Sequence, residues 1–150
     1  NKMQQFLHKF TVSARLAEVV KFHQDSRALK KLTPPPVIVQ MHQVEPLAEG
    51  SVAEFTLWMG PLPVRWLARH EQVDMPKGFV DVQEHGPFRI WRHQHTFRYV
   101  NENTTEVIDE VQAEMGKGIP DGLISRLMWF SLPLLFAYRA WITRRMLLRG

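Results

Sequence analysis

The segment spanning residues 121–150 constrains the fold most, because its apolar side chains recur at helical spacing over its whole length. One stripe has alternating spacings of four and three, which predicts a long helix; it consists of Leu123, Leu127, Phe130, Leu134, Ala137 and Trp141. Asp121 is suited to cap the first turn, and Pro133 is expected to bend the axis near Leu132. Basic residues at the far end complement the helix dipole: Arg144, Arg145 and Arg149.

A second apolar stripe lies beside the first and consists of Ile124, Met128, Leu135, Tyr138 and Ile142. Trp129 and Phe136 lie outside both stripes, so residues 127–138 are apolar nearly all round and should be covered on most sides. The uncharged run is shorter than the roughly 20 residues of a membrane span. We therefore expect no stable membrane insertion, and a curved sheet as the cover.

Upstream of this helix the periodicity changes from helical to alternating, which predicts strands. Strands are predicted over residues 3–12, 37–44, 52–59, 64–73, 79–84, 88–100 and 104–115, and short helices over residues 14–22 and 26–32. Short turns between the last six strands favour an antiparallel meander. The fold class is therefore α+β, with about seven strands, two short helices after the first strand and one long C-terminal helix.

Composition narrows the functional classes. The chain has 150 residues and a mass of 17.6 kDa, which is consistent with a single domain over residues 1–150. The absence of cysteine excludes disulfides and thiolate metal sites. The net charge of +4 is spread along the chain, so we expect no nucleic-acid partner. No signal peptide is evident, and a cytoplasmic location is expected. No cofactor fingerprint is present, and no cofactor is expected.

Two motifs carry a family resemblance. Residues 60–66 (GPLPVRW) and residues 86–97 (GPFRIWRHQHTF) resemble the bacterial cyclase/dehydrase-like group of the SRPBCC superfamily, the START and polyketide cyclase-like proteins. Asp109 and residues 136–139 (FAYR) are similar to that group as well. The resemblance implies a helix-grip fold, in which a curved antiparallel sheet wraps around the C-terminal helix and leaves a cavity for a ligand.

Turn geometry predicts the strand registers. A four-residue loop over residues 60–63 would pair Met59 with Val64 and Leu57 with Trp66, and would place Glu54 opposite Arg69. A loop centred on Glu102 predicts four pairs on the concave face: Trp91 with Ala113, His93 with Val111, His95 with Asp109 and Phe97 with Val107. The face that residues 79–84 present to the cavity stays ambiguous, because both alternating sets contain apolar residues.

These registers define the expected ligand site. It comprises Phe55, Leu57, Trp66, Trp91, His93, His95, Phe97, Asp109, Val111, Leu127, Phe130 and Tyr138. The leading hypothesis is a carrier or sensor of a hydrophobic small molecule. One alternative is a cyclase/dehydratase in which His95 and Asp109 form an acid–base pair, with the charged histidine favoured. Another is an interaction protein whose last helix docks on a membrane or a partner.

His93 and His95 stand two apart on a strand and therefore point to the same side. A metal would need a third ligand, for which Asp109 and His70 are the candidates. Two histidines at this spacing are a weaker signal than an HExxH pattern, so the sequence assigns no metal site. The catalytic candidates are His95, Asp109 and His93, and whether the protein is an enzyme stays open.

Overall fold

A computed structural model describes residues 2–25 and 27–148. The elements in chain order are β1 (Gln4–Val12), α1 (Leu16–Gln24), α2 (Ala28–Lys31), β2 (Ile38–Val44), β3 (Val52–Met59), β4 (Leu62–Asp74), β5 (Gly78–His85), β6 (Ile90–Asn101), β7 (Thr104–Glu114) and α3 (Leu123–Leu147). A π-helical turn, Gly118–Gly122, precedes α3. The predicted α+β order of strand, two short helices, six strands and one long helix is confirmed.

Within the described residues, the seven strands form one antiparallel sheet in the order β1-β7-β6-β5-β4-β3-β2. Strands β2 to β7 follow one another as a meander, and β1 pairs with the last of them. The concave face is closed by α3, whose Leu132 and Phe136 are each 1% exposed and join the sheet residues Phe55, Trp66 and Trp91 in one core cluster. This packing places Leu132 and Phe136 against the concave face, while the backbone of α3 comes closest to the edge strand β1.

A second core cluster closes the other end of the sheet. It contains Val19 and Val20 of α1, Phe79 of β5, Phe97 of β6 and Ala140 of α3. α1 contacts β6 and β7, so it seals this end, while the space nearer β2 and β3 is covered less fully. The two clusters leave room between the sheet and α3.

The start of α3 differs from the prediction. Asp121 lies in the π-helical turn and does not cap the helix, whose N-cap position is occupied by Gly122. The turn's own backbone takes the place of a capping side chain. α3 continues through Pro133, which is exposed, so the hydrogen bond that proline removes is lost on the solvent side. Arg149 lies outside the described residues.

The expectation that α3 is covered on most sides is wrong. The first stripe faces solvent: Leu127 is 61% exposed and Phe130 is 80% exposed. The face that meets the sheet instead carries small polar residues, Ser125 and Thr143, beside Leu132 and Phe136. Small side chains let the helix approach the sheet closely, and a sheet covers only one side of a helix. No helix among the described residues is long and apolar enough to cross a membrane.

The β3–β4 register also differs from the prediction. Leu57 pairs with Val64, because the hairpin loop has two residues and not four. Gly60 begins this loop with φ +62°, as the first central position of a tight hairpin turn requires. The error is two positions, so each residue keeps its predicted face. Glu54 consequently pairs with Arg65, at 3.3 Å, and not with Arg69.

The β6–β7 register is confirmed at all four predicted positions: Trp91 with Ala113, His93 with Val111, His95 with Asp109 and Phe97 with Val107. The hairpin is long and its apolar alternation is uninterrupted, so only one register buries both strands' apolar faces.

Candidate functional site

A cavity of about 710 Å³ lies between the concave face of the sheet and α3. This volume is within the range of about 300–1,000 Å³ that is usual for small-molecule sites. Most of its wall is apolar, with contributions from Phe55, Leu57, Trp66, Trp91, Met128 and Leu132.

The cavity brings together half of the predicted ligand residues. Those that line it are Phe55, Leu57, Trp66, Trp91, His93 and His95. Phe97, Asp109 and Val111 are buried on the concave face but are covered by neighbours and do not line it. Tyr138 is half-buried outside the cavity. Assigning Leu127 and Phe130 to the site is wrong, because both belong to the solvent-facing stripe of α3.

One end of the cavity is polar. Two aspartates and two histidines meet there, on three adjacent strands: Asp81 on β5, His93 and His95 on β6, and Asp109 on β7. His95 Nε2 donates to Asp81 Oδ2 over 2.5 Å, and His93 Nε2 donates to Asp109 Oδ1 over 2.8 Å. We call these four side chains the His–Asp cluster.

Longer contacts join the two hydrogen-bonded pairs of the His–Asp cluster. His93 Nδ1 is 3.6 Å from Asp81 Oδ2, and His95 Nδ1 is 3.6 Å from Asp109 Oδ1. The two imidazole rings stack with centroids 3.7 Å apart, and Phe79 stacks on the other side of His95 at 4.3 Å. Stacking fixes both ring planes, so rotation of either imidazole is restricted.

Burial and neighbouring groups set the charges of the His–Asp cluster. Burial lowers the pKa of His95 to about 4, and the proximity of His93 acts in the same direction. Burial by itself raises the pKa of Asp81 and Asp109, but their interactions with His93 and His95 outweigh it and hold the pKa of both carboxyls below the usual range. At neutral pH the cluster therefore contains two carboxylates and a neutral His95.

Asp81 is the cluster member that sequence reasoning does not assign. The alternation in residues 79–84 allows either face, and the structure places Phe79 and Asp81 on the cavity side. The signal that could have found Asp81 is the β5–β6 register, in which Asp81 is the direct partner of His93. The expected bond between His95 and Asp109 is not made, and the expectation of a charged histidine is wrong because burial dominates the pKa of His95.

Two further polar side chains reach the cavity from the helices. Arg139 of α3 donates to the Leu32 carbonyl over 3.2 Å and interacts electrostatically with Asp81 and Asp109. His23 of α1 donates through Nδ1 to the Val19 carbonyl over 2.8 Å. Sequence patterns do not indicate either, since their place depends on how the helices pack against the sheet.

No protein-family model and no curated protein sequence matches the chain. Solved structures do match over nearly its full length. The Zhui aromatase/cyclase from Streptomyces sp. R1128 has a TM-score of 0.78 and 14% identity, covering 99% of this chain and 95% of that chain. A START superfamily protein from Mycobacterium smegmatis has a TM-score of 0.69 and 11% identity, covering 95% and 98%.

A third match is a nucleoside-diphosphate sugar epimerase from Corynebacterium glutamicum, with a TM-score of 0.67 and 24% identity. It covers 93% of this chain but only 28% of that chain, so the similarity concerns one part of a longer protein. Together with the sheet order and the position of α3, these matches show that the protein has a helix-grip fold. At these identities the fold alone is shared.

Proposed function

We propose that the protein binds a hydrophobic small molecule of lipid, polyketide or aromatic type between the sheet and α3, as a carrier or sensor. The observation that carries this proposal is the cavity of about 710 Å³ with its apolar wall. Burying apolar ligand surface there yields about 25 cal/mol per Å² removed from water. The fold group supports the proposal, since the structural matches include a START protein and an aromatase/cyclase.

The His–Asp cluster gives the proposed ligand a polar end. A buried carboxylate or imidazole that faces an apolar space is favourable only when it has hydrogen-bond partners. Asp81 lines the cavity beside His95, so a hydroxyl of the ligand can donate a hydrogen bond to the Asp81 carboxylate. We therefore expect an amphiphile whose apolar body lies against Trp66 and Trp91 and whose oxygen points to the cluster.

Titration with an environment-sensitive fluorescent fatty acid tests the proposal. Saturable one-to-one binding is expected, and Ala53→Phe should weaken it at least tenfold because Ala53 is on the cavity wall. Ala17→Phe is the matched control, since Ala17 lies on α1 outside the cavity. Binding that is absent, or equal in the two variants, would contradict the proposal. If binding is confirmed, native mass spectrometry of protein purified from its own host would identify the compound that the cavity retains.

A second candidate function is a cyclase/dehydratase that acts on a polyketide or related precursor. The observation that favours it is the placement of the Asp81–His95 pair at the cavity wall, where a neutral imidazole can accept a proton from a bound substrate. In an aldol-type closure His95 Nδ1 would take a proton from carbon, the resulting carbanion would form a bond to a ketone carbon, and the alkoxide would take the proton back. His95 would then take a second proton from the same carbon and return it to the hydroxyl, which would leave as water. Asp109, the partner expected from sequence, supports His93 in this arrangement.

Product analysis separates the two candidates. A poly-β-keto thioester incubated with the protein should be recovered unchanged if the protein is a carrier, and as a cyclised product that has lost water if it is an enzyme. His95→Gln should abolish that product while it weakens fluorescent fatty acid binding less than Ala53→Phe does, because the apolar wall is unchanged. Product formed at the same rate with this variant would exclude His95 as the base.

A further inference from the structure

One side-chain atom each from Asp81, His93 and His95 lies within 4.8 Å of the other two, and all three side chains line the cavity. We infer that these residues bind a divalent transition-metal ion at the polar end of the cavity, with Asp109 as a positioning residue. The inference does not require the proposed hydrophobic ligand, so the two can fail separately.

The hydrogen bond that His93 makes selects its ligand atom. Its Nε2 donates to Asp109 Oδ1 over 2.8 Å, so in the neutral ring the proton is on Nε2 and the lone pair is on Nδ1. That lone pair is directed at Asp81 Oδ2, 3.6 Å away. A lone pair that faces a carboxylate oxygen is repelled by it, and a metal ion between the two atoms would remove this repulsion.

Asp109 then has the position of a carboxylate that does not touch the metal but accepts a hydrogen bond from a metal-binding histidine. Metal-binding histidines almost always donate their second ring N–H to a carboxylate, a carbonyl or water, which fixes the tautomer and raises ligand basicity. Asp109 is buried, with 6% exposure, and its hydrogen bond to His93 serves this purpose.

His95 provides a further ligand atom, Nε2, close to the same Asp81 oxygen. Nε2 is 2.5 Å from Asp81 Oδ2, and a metal bound to Nε2 would require the ring proton to move to Nδ1, which is 3.6 Å from Asp109 Oδ1. Ligand atoms about 2.0–2.2 Å from one ion are roughly 3.0–3.6 Å from one another. The separations of 2.5 and 3.6 Å bracket this range, and a small rotation of the Asp81 carboxylate would equalise them.

The strands make the three donors rigid. His93 and His95 are alternate residues of β6, and Asp81 is the direct ladder partner of His93 on β5. Stacking between the two imidazoles and between His95 and Phe79 restricts the rings further. Preorganisation of this kind lowers the cost of ordering ligands when a metal binds.

Charge also favours a divalent cation. With both imidazoles neutral, as metal ligands must be, Asp81 and Asp109 carry two negative charges against the single positive charge of Arg139, which interacts with both. One negative charge is left in the cavity wall. A divalent ion would turn this excess into one positive charge, which an anionic oxygen of a bound molecule could balance.

Two imidazole nitrogens and one carboxylate oxygen favour Zn²⁺, Fe²⁺ or Co²⁺ over Mg²⁺ and Ca²⁺, which prefer oxygen ligands. Three protein ligands leave coordination positions open, and these face the apolar cavity. The site would therefore accept a molecule with an oxygen donor, such as an enolate, a carboxylate or a phenolate, on a hydrophobic body.

Metal-free protein, prepared with a chelator and checked by circular dichroism, provides the test. Titration with Co²⁺ followed by visible absorption, and with Zn²⁺ followed by calorimetry, should give saturable one-to-one binding. Mg²⁺ should not compete. Asp81→Asn and His95→Gln should each weaken Zn²⁺ binding by more than a hundredfold, while His85→Gln, which changes an exposed histidine outside the cavity, should bind as the wild type does.

Asp109→Asn tests the positioning role. It should weaken Zn²⁺ binding about 10–100-fold and shift the Co²⁺ absorption band, because removal of an outer carboxylate has effects of this size. A structural role alone would change the melting temperature without moving the band. No saturable binding by the folded wild type, or full-affinity binding by Asp81→Asn and His95→Gln, would overturn the inference.

Discussion

Asp109 lies directly opposite His95 in the β6–β7 ladder, yet it accepts its hydrogen bond from His93. Asp81 shows the reverse on β5, because it is the ladder partner of His93 and accepts from His95. Diagonal neighbours on a twisted sheet are within reach of long side chains. The two crossed hydrogen bonds give two His–Asp pairs, which are joined by the stacked imidazoles and by two contacts of 3.6 Å.

Removing the Asp109 carboxylate should destabilise the fold. In Asp109→Ala the buried His93 loses its acceptor, and an unsatisfied buried donor costs about 1–3 kcal/mol. In Asp109→Asn an amide oxygen can still accept, so the loss should be smaller. Urea unfolding at pH 7 in the presence of a chelator would measure both, and unchanged stability of Asp109→Ala would show that the hydrogen bond contributes nothing.

The His–Asp cluster shows how much of a site sequence can predict. The β6–β7 register is predictable, because a one-residue slip would expose Trp91 and Phe97. The β5 face is not, because its apolar residues alternate on both sides, and Asp81 escapes prediction for that reason. Which histidine bonds which aspartate depends on sheet twist, which no pattern in the sequence specifies.

Leu132 and Leu127 provide a matched pair for testing which face of α3 is buried. Leu132 is 1% exposed and Leu127 is 61% exposed on the same helix. Leu132→Ala should lower the free energy of unfolding by about 2–5 kcal/mol, since it leaves a cavity in the core. Leu127→Ala should change it by less than about 0.5 kcal/mol. Comparable losses would mean that the outer stripe is covered in solution.

Leu127 and Leu132 also show a second feature that the sequence does not predict, namely which face of α3 is buried. In a helix that is apolar nearly all round, no side stands out as the one to bury, so the spacing predicts the helix but not its rotation about its axis. The predicted ligand site includes Leu127 and Phe130 of the first stripe, and this stripe is the one that faces solvent. The small residues Ser125 and Thr143, which allow close contact with the sheet, are the informative ones.

Gly60 should be required for the short β3–β4 loop. Its φ of +62° is unfavourable for residues with a Cβ, and no atom within 4 Å would contact an added Cβ. Gly60→Ala should therefore destabilise the protein by about 1–2 kcal/mol through backbone strain alone. Gly60→Asn should cost less, since asparagine tolerates this conformation. Thermal unfolding of both variants would measure the difference, and an unchanged melting temperature for Gly60→Ala would contradict the two-residue turn.

His23 should make stability depend on pH. Burial lowers the pKa of His23, and the positive charges of Arg139 and His93 lower it further. The Val19 carbonyl and the Asp109 carboxylate raise this pKa, but by less. The folded state therefore resists a proton that the unfolded chain accepts near pH 6.5. Stability should be constant above about pH 6.5 and fall as the pH drops towards the lower pKa of the folded state.

Each unit by which the pKa of His23 is lowered in the folded state reduces the free energy of unfolding at acid pH by about 1.4 kcal/mol. Other histidines titrate as well, so the informative quantity is the difference between variants. In urea unfolding between about pH 7.5 and about pH 5.5, His23→Gln should lose less stability on acidification than the wild type. His85→Gln changes an exposed histidine and should behave as the wild type does. The hydrogen bond of His23 to Val19 and its contact with Phe97 are the reasons to expect this difference. If His23→Gln lost as much stability on acidification as His85→Gln and the wild type, the prediction would be wrong, and the His23 ring would be as well solvated in the folded protein as in the unfolded chain.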